Sequence, residues 1–213
     1  MNYRLIVDSC CELIDELKVS LDAKSVPLTM RVGDKEFRDD ENLDVDKFLE
    51  EMNSSPTPPS SSCPSPGEYA DVFKESDKTS FVVTLSSRLS GSYNSANIGK
   101  EIAKEQGCDV HVFDSKSASA GELLVSLKIK EFIDEGLSKA HIIEKVESFI
   151  ENMRTFFVLE NLNNLLKNGR INKIVASLAT VLNIRAVLGA DDGNIAYYSR
   201  ARGSNNAVDK LLE

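Results

Sequence analysis

A regular alternation of short apolar runs and amphipathic stretches predicts an α/β fold, with an open, mostly parallel sheet flanked by helices. Two observations carry that expectation. The runs 4–7, 81–85 and 109–113 are too short for core helices and rich in residues that favour strands. Each is followed by a longer stretch with a helical pattern. A third observation points to where function would sit. The same runs end in polar or hydroxyl residues, Asp8-Ser9, Ser86-Ser87 and Asp114-Ser115. In an open parallel sheet such ends share one edge, where ligands bind at a topological switch point. Asp and Ser also cap and turn chains for local reasons, so an anion site and an ordinary turn are both consistent with the pattern.

Taken in order, the first strand is expected over 4–7 and a helix over 11–17. A second strand is expected over 24–28, and the stretch 29–37 alternates around Gly33-Asp34, which predicts a hairpin. Residues 38–44 read as an acidic solvated loop. Asp44 can cap a helix running to about Met52, with Val45, Phe48 and Leu49 on one face. The stretch 53–67 holds Pro56, Pro58, Pro59, Pro64 and Pro66, which excludes helix and central strand. Its composition fits a linker or an ordered polar loop. Pro66-Gly67-Glu68 then opens a helix carrying Tyr69, Val72 and Phe73.

The run 81–85 leads through Ser90-Gly91-Ser92 into a helix expected over 93–106. A strand feeding a helix N-terminus through hydroxyl residues can hold an anion, because backbone N–H groups and the helix dipole point at it. It can equally be a capped β–α turn. A strand over 109–113 and a helix over 118–134 follow. The stretch 138–153 is strongly amphipathic, with Ile142, Val146, Phe149 and Ile150 on one stripe, and is expected to pack on the sheet. Beyond it come a strand over 155–159, a short helix over 161–167 ended by Asn168-Gly169, and a helix from Arg170 to about Thr180. Strands over 184–190 and 194–200 pair around Asp191-Asp192-Gly193, and Ser204 starts a last helix.

Charge and composition exclude several classes. The formal net charge is −9 over 213 residues with no long basic run, which argues against nucleic acid or an anionic membrane surface as a partner. Cys10, Cys11, Cys63 and Cys108 form no C-x-x-C, as expected for a reduced, cytoplasmic chain rather than a disulfide scaffold. The first residues lack the apolar core of a signal peptide, and no run is long enough to span a membrane. Neither G-x-x-x-x-G-K-[ST] nor G-x-G-x-x-G occurs, so ATP and NAD are not expected as ligands. No metal site is expected: His111 reads as a packing residue in a strand, His141 as a surface residue, and the cysteines are scattered. There is no G-x-S-x-G elbow, and Asp191 and Asp192 read as turn residues. What remains is a site of neutral hydroxyls and backbone N–H groups. Without a committed lysine, it suits a single carboxylate better than a polyphosphate.

These residues carry a resemblance. Val7-Asp8-Ser9, Ser61-Ser62-Cys63-Pro64-Ser65-Pro66-Gly67-Glu68, Leu85-Ser86-Ser87-Arg88-Leu89-Ser90-Gly91-Ser92-Tyr93, Phe113-Asp114-Ser115-Lys116-Ser117-Ala118-Ser119, the Asn168-Gly169-Arg170-Ile171 segment and the 183–193 segment follow one another across almost the whole chain. Together they resemble the DegV family of bacterial fatty-acid-binding proteins. The resemblance implies an N-terminal α/β domain over 1–154 and the start of a second α/β domain over 155–213. A long-chain fatty acid would lie between them, in an apolar tunnel. It implies Ser61 and Ser90 as ligands of the fatty acid carboxylate, with Ser62, Gly91 and Ser92 as the supporting loop. It also implies a separate fatty acid kinase subunit as partner, with Arg170 toward it, and no cofactor or catalysis of the chain's own. In that reading the proline-rich stretch is an ordered loop over the ligand head. Ser61, Cys63 and Ala186 stand where the family commonly has Thr, Gln and Pro. Family members also run longer, and their later part brings a histidine near the carboxylate that nothing here matches, so weaker binding than in a longer relative is expected. The alternatives are a serine-dependent hydrolase or acyltransferase, and a module for another small carboxylate.

Overall fold

The computed structural model describes residues 2–171 and 184–212. Its centre is a four-stranded parallel sheet in the order β2-β1-β6-β7, built from β1 (Tyr3–Asp8), β2 (Lys24–Val26), β6 (Thr79–Thr84) and β7 (Val110–Asp114). Strand side chains alternate, so both faces can be read from the sequence. Leu5, Val7, Phe81, Val83 and Phe113 face one way and pack with Leu17 and Leu21, Val125, Ile129 and Ile133, and Ile142, Val146 and Ile150. Those residues come from or directly follow α1 (Asp15–Ser20), α5 (Ala120–Asp134) and α6 (Lys139–Asn152). Ile6, Val82, Val110 and Val112 face the other way, onto Tyr69 and Phe73 of α3 (Pro66–Lys74) and Ala96 and Ala103 of α4 (Ser92–Lys104). Burial on both faces explains why these strands read as unbroken apolar runs.

Local chemistry fixes the helix starts. Asp44 accepts the Lys47 N–H at 3.0 Å at the head of α2 (Val45–Ser54). Ser65 and Glu68 form a capping box around Pro66 at the start of α3. The first helix begins at Asp15, later than its apolar pattern suggested, because residues 9–14 are taken up by a turn whose Cys10 and Cys11 N–H groups bond back to Asp8.

Two smaller antiparallel sheets complete the described architecture. In one, β3 (Thr29–Val32) pairs with β4 (Lys35–Arg38) across the expected Gly33-Asp34 turn, and on its other side with β5 (Ser60–Ser62). The proline-rich stretch is therefore ordered at its centre, with Ser61 opposite Met30. In the other, β9 (Ile184–Asp191) lies between β8 (Phe156–Val158) and β10 (Asn194–Arg202). The short helix α7 (Asn163–Lys167) precedes this hairpin, and α8 (Ser204–Leu212) follows it. Beyond Ile171, the helix expected to about Thr180 lies outside the described residues.

The β9–β10 turn docks on the parallel sheet. Asp192 and Gly193 have φ of 45° and 79°, as a two-residue hairpin turn requires. The Ser86 hydroxyl donates to the Gly193 carbonyl at 2.8 Å, and a Cβ on Gly193 would lie 2.4 Å from that Ser86 Oγ. Lys116 pairs with Asp192 at 2.7 Å from the adjoining loop. These contacts bring the hairpin against the carboxyl ends of β6 and β7, where the three polar strand ends meet.

Candidate ligand site

In the sheet order β2-β1-β6-β7 the chain runs from β1 to β2 on one side, then returns to β6 on the other. The carboxyl ends of β1 and β6 therefore flank the switch point. Most of the polar groups there are spent on the protein itself. Asp8 accepts the Cys10 N–H at 3.1 Å and the Leu85 N–H at 2.9 Å. Ser9 donates to Asp39 at 2.8 Å. Ser87 bonds to Asp114 through both its N–H and its hydroxyl, and Ser115 donates to the Ser117 carbonyl at 3.2 Å. The shared edge expected from the sequence is present, but these residues build it and do not face a ligand.

Beside this edge lies a cavity of about 450 Å³, within the size range of small-ligand pockets. Ser61 and Ser62 of β5 line one side, Ser90 and Gly91 the other, and Arg170 and Asn168 the rim. Five of the six residues singled out from the sequence are thus brought together: Ser61, Ser62, Ser90, Gly91 and Arg170. Ser92 is fully buried behind Ser90 and lies against Asp8. Its N–H donates to Ser90 Oγ at 3.2 Å, and the two hydroxyls are also 3.2 Å apart. Helix α4 is capped at Gly91 rather than by a serine side chain. Gly91 lets Cys63 approach closely, since a Cβ there would lie 2.9 Å from the Cys63 sulfur.

Two side chains tie the rim to its surroundings. Arg170 Nε donates to the Leu89 carbonyl at 2.7 Å, and its Nη1 to the Asn168 carbonyl at 2.6 Å. Asn168 in turn donates to the Pro59 carbonyl at 3.0 Å, joining the end of α7 to the proline-rich loop. This link was not expected from the sequence, where Asn168 reads only as a helix terminator.

A second cavity, of about 410 Å³, shares Leu89, Leu165 and Ile195 with the first. Its walls are largely apolar and include Phe156, Phe157 and Leu159. A compartment with serine hydroxyls in a mixed wall and a largely apolar one therefore adjoin across three aliphatic side chains. Such a pair accommodates a molecule with one polar end and one long apolar body. His111 is remote from this arrangement. It lies in β7, 3.8 Å from Glu147 of α6, and burial depresses its pKa to about 4, with Lys100 and Lys139 adding to the effect.

The fold and site define a class: an α/β protein with an adjoining polar and apolar cavity beside the switch point of a parallel sheet. The chain belongs to the DegV family, which it matches over residues 2–213. It is 38% identical over 218 residues to a DegV domain-containing protein of Streptococcus pneumoniae, covering 100% of this chain and 77% of that one. It superposes with a TM-score of 0.93 and 39% identity on a DegV family protein from Ruminococcus gnavus refined with vaccenic acid, covering 99% of this chain and 76% of that one. It also superposes with a TM-score of 0.90 and 35% identity on the Streptococcus pneumoniae fatty acid kinase B3 protein loaded with linoleic acid, covering 100% and 78%. Among the described residues, no helix is long and apolar enough to cross a membrane.

Proposed function

We propose that this chain binds a long-chain fatty acid, with its carboxylate in the polar cavity and its acyl chain in the apolar one. The observation that supports this reading is that the two cavities adjoin at Leu89, Leu165 and Ile195, with Ser61 and Ser90 lining the one and apolar side chains the other. A buried carboxylate needs hydrogen-bond donors. The hydroxyls of Ser61 and Ser90 supply them, with Ser62 and the backbone around Gly91 in support. The acyl chain lies between the parallel-sheet region, residues 1–154, and the sheet that begins at Phe156. Two similar proteins, of 39% and 35% identity, hold vaccenic and linoleic acid.

The chain performs no chemistry on its ligand in this reading. It presents the carboxylate to a separate kinase that forms the acyl phosphate, in the cytoplasm where that kinase finds its nucleotide. Arg170, exposed at the rim, faces that partner. A hydrolytic role lacks support, because the Ser90 hydroxyl meets Ser92 while His111 lies beside Glu147.

Native mass spectrometry tests the proposal. The protein incubated with oleic acid is expected to carry one fatty acid, and the variant with Ser61→Ala and Ser90→Ala is expected to carry far less at the same ligand concentration. No adduct on the wild type, or equal occupancy in the variant, would overturn it.

A further inference from the structure

Behind Ser90 lies a group of side chains that the ligand site does not touch. Asp8, at the end of β1, and Glu122, in the first turn of α5, are both fully buried. Oxygen atoms of the two carboxyl groups and the sulfur of Cys10 all lie within 4.8 Å of one another. Their hydrogen bonding is unequal. Asp8 accepts from the Leu85 N–H and the Cys10 N–H, and the Ser92 hydroxyl lies beside it. Glu122 Oε1 accepts the Ser119 N–H at 3.1 Å, whereas Oε2 is buried with no donor facing it. The two carboxyl groups lie against each other, buried and close enough to share a hydrogen bond. A bond between carboxyl groups needs a proton, and the oxygen without a donor is the one that must carry it.

We propose that Asp8 and Glu122 hold one proton between them, with Glu122 the neutral acid and Asp8 the carboxylate, and that this pair positions Ser92 and through it the Ser90 hydroxyl at the head-group cavity. The chain of contacts is continuous. The Ser92 hydroxyl lies between Asp8, the Tyr69 hydroxyl and Ser90 Oγ, and the Ser92 N–H donates to Ser90 Oγ; in the proposed arrangement the Ser92 hydrogen goes to Asp8. The Ser90 hydrogen is then available to the cavity. Ser119, which holds Glu122 in place, has a φ of 54°, a conformation a non-glycine residue adopts at a cost. The titratable groups beside the pair are Cys10 and Cys11 from the turn after β1 and Tyr69 on α3, with Asp39 after β4 next to Cys10 and Glu12 next to Cys11. Each of them is negative when it ionises, so none offsets the pair's charge. Burial raises both carboxyls above their usual range, Glu122 furthest; the charge of Asp8 pushes Glu122 up further, whereas the hydrogen bonds to Asp8, the one from Glu122 included, hold Asp8 down.

The inference rests on the head-group reading above and extends it to pH. A ligand carboxylate at Ser90 brings a second negative charge toward Asp8. Loss of the shared proton would add a third. Ligand binding and the shared proton therefore favour each other, and the coupling is reciprocal. Glu122→Gln mimics the neutral acid: its amide donates to Asp8 and accepts from Ser119, but cannot titrate.

Two measurements test this. The first is isotope-edited infrared spectroscopy of the ligand-free protein with labelled glutamate. A protonated carboxyl band at neutral pH, absent in Glu122→Gln, is expected; no such band in the wild type overturns the shared proton. The second is calorimetric titration with oleic acid in two buffers of different ionisation enthalpy, repeated from neutral pH upward through the range in which the infrared band disappears. Wild type is expected to take up protons on binding and to lose affinity by about tenfold as the pair ionises, the effect of a one-unit coupling. Glu122→Gln is expected to bind with no proton uptake and no such decline. Equal proton uptake in the two proteins overturns the role of Glu122. Failure of both proteins to bind oleic acid overturns the head-group reading and the coupling with it, while the infrared band still decides where the proton resides.

Discussion

Removing the two hydroxyls that face the polar cavity gives the sharpest perturbation of the proposed site. Ser90 Oγ accepts the Ser92 N–H at 3.2 Å and lines the cavity, and Ser61 lies across it on β5, exposed. A hydrogen bond to a charged acceptor contributes about 1.5–3 kcal/mol. Two such bonds to one carboxylate are neighbours and do not add fully, so their sum is an upper bound. Taking the low end for each gives about 3 kcal/mol, or roughly 150-fold in Kd. The fold should survive. Ser90→Ala leaves the Ser92 N–H without its acceptor at the start of α4, at a cost of about 1 kcal/mol. Ser61→Ala changes an exposed strand residue and should shift stability by less than about 0.5 kcal/mol. Displacement of a fluorescent fatty acid by oleic acid measures the loss, with thermal melts as the control for folding. Ser61→Thr retains the donor and should bind as the wild type does. A double alanine variant that melts normally and binds within about threefold of wild type, a difference under 1 kcal/mol, would refute the head-group assignment.

Other perturbations probe the remaining parts of the account. Leu165→Asp puts a charge where the two cavities meet and should abolish oleic acid binding with the far-UV spectrum unchanged; retained binding would mean that the acyl chain lies elsewhere. Gly193→Ala forces a side chain into positive φ and onto Ser86, and should lower stability by about 1–3 kcal/mol in chemical denaturation. The raised pKa of Glu122 means that the folded chain keeps a proton the unfolded chain releases near pH 4.5, so this group's contribution is greatest below that pH and declines as pH rises toward its folded value. Glu122→Gln should remove that decline, measured as denaturation midpoints across pH. His111 works in the opposite sense: its pKa falls from 6.5 to about 4 on folding, so it costs stability as pH drops through that interval, and His111→Gln should be less acid-sensitive than wild type.

The parallel sheet was legible because both faces of each strand are buried, which leaves short unbroken apolar runs separated by polar turns. The strand order was not, since the crossover that sets β6 beside β1 leaves no local trace. The edge strand β5 was hidden for another reason. Ser60–Ser62 has no apolar alternation, and its order comes from pairing with β3 and from Asn168 reaching the Pro59 carbonyl. Ser61, Ser90 and Arg170 emerged from family resemblance, and three distant segments of chain bring them to one cavity. Ser92 looked like a cap residue but is turned inward to Asp8. Glu122 gave no sequence signal because a glutamate three residues after Ser119 reads as the second half of a capping box, a role it also fills through its other oxygen. Only a buried neighbour at the end of a distant strand makes that glutamate unusual.

The most direct test of the central claim is a crystal structure with a long-chain fatty acid carrying bromine at its methyl end. The account predicts carboxylate density within hydrogen-bonding distance of Ser61 and Ser90, and an anomalous bromine peak in the apolar cavity near Phe157 and Leu159. Bromine beside the serines, or a ligand bound outside both cavities, would contradict it.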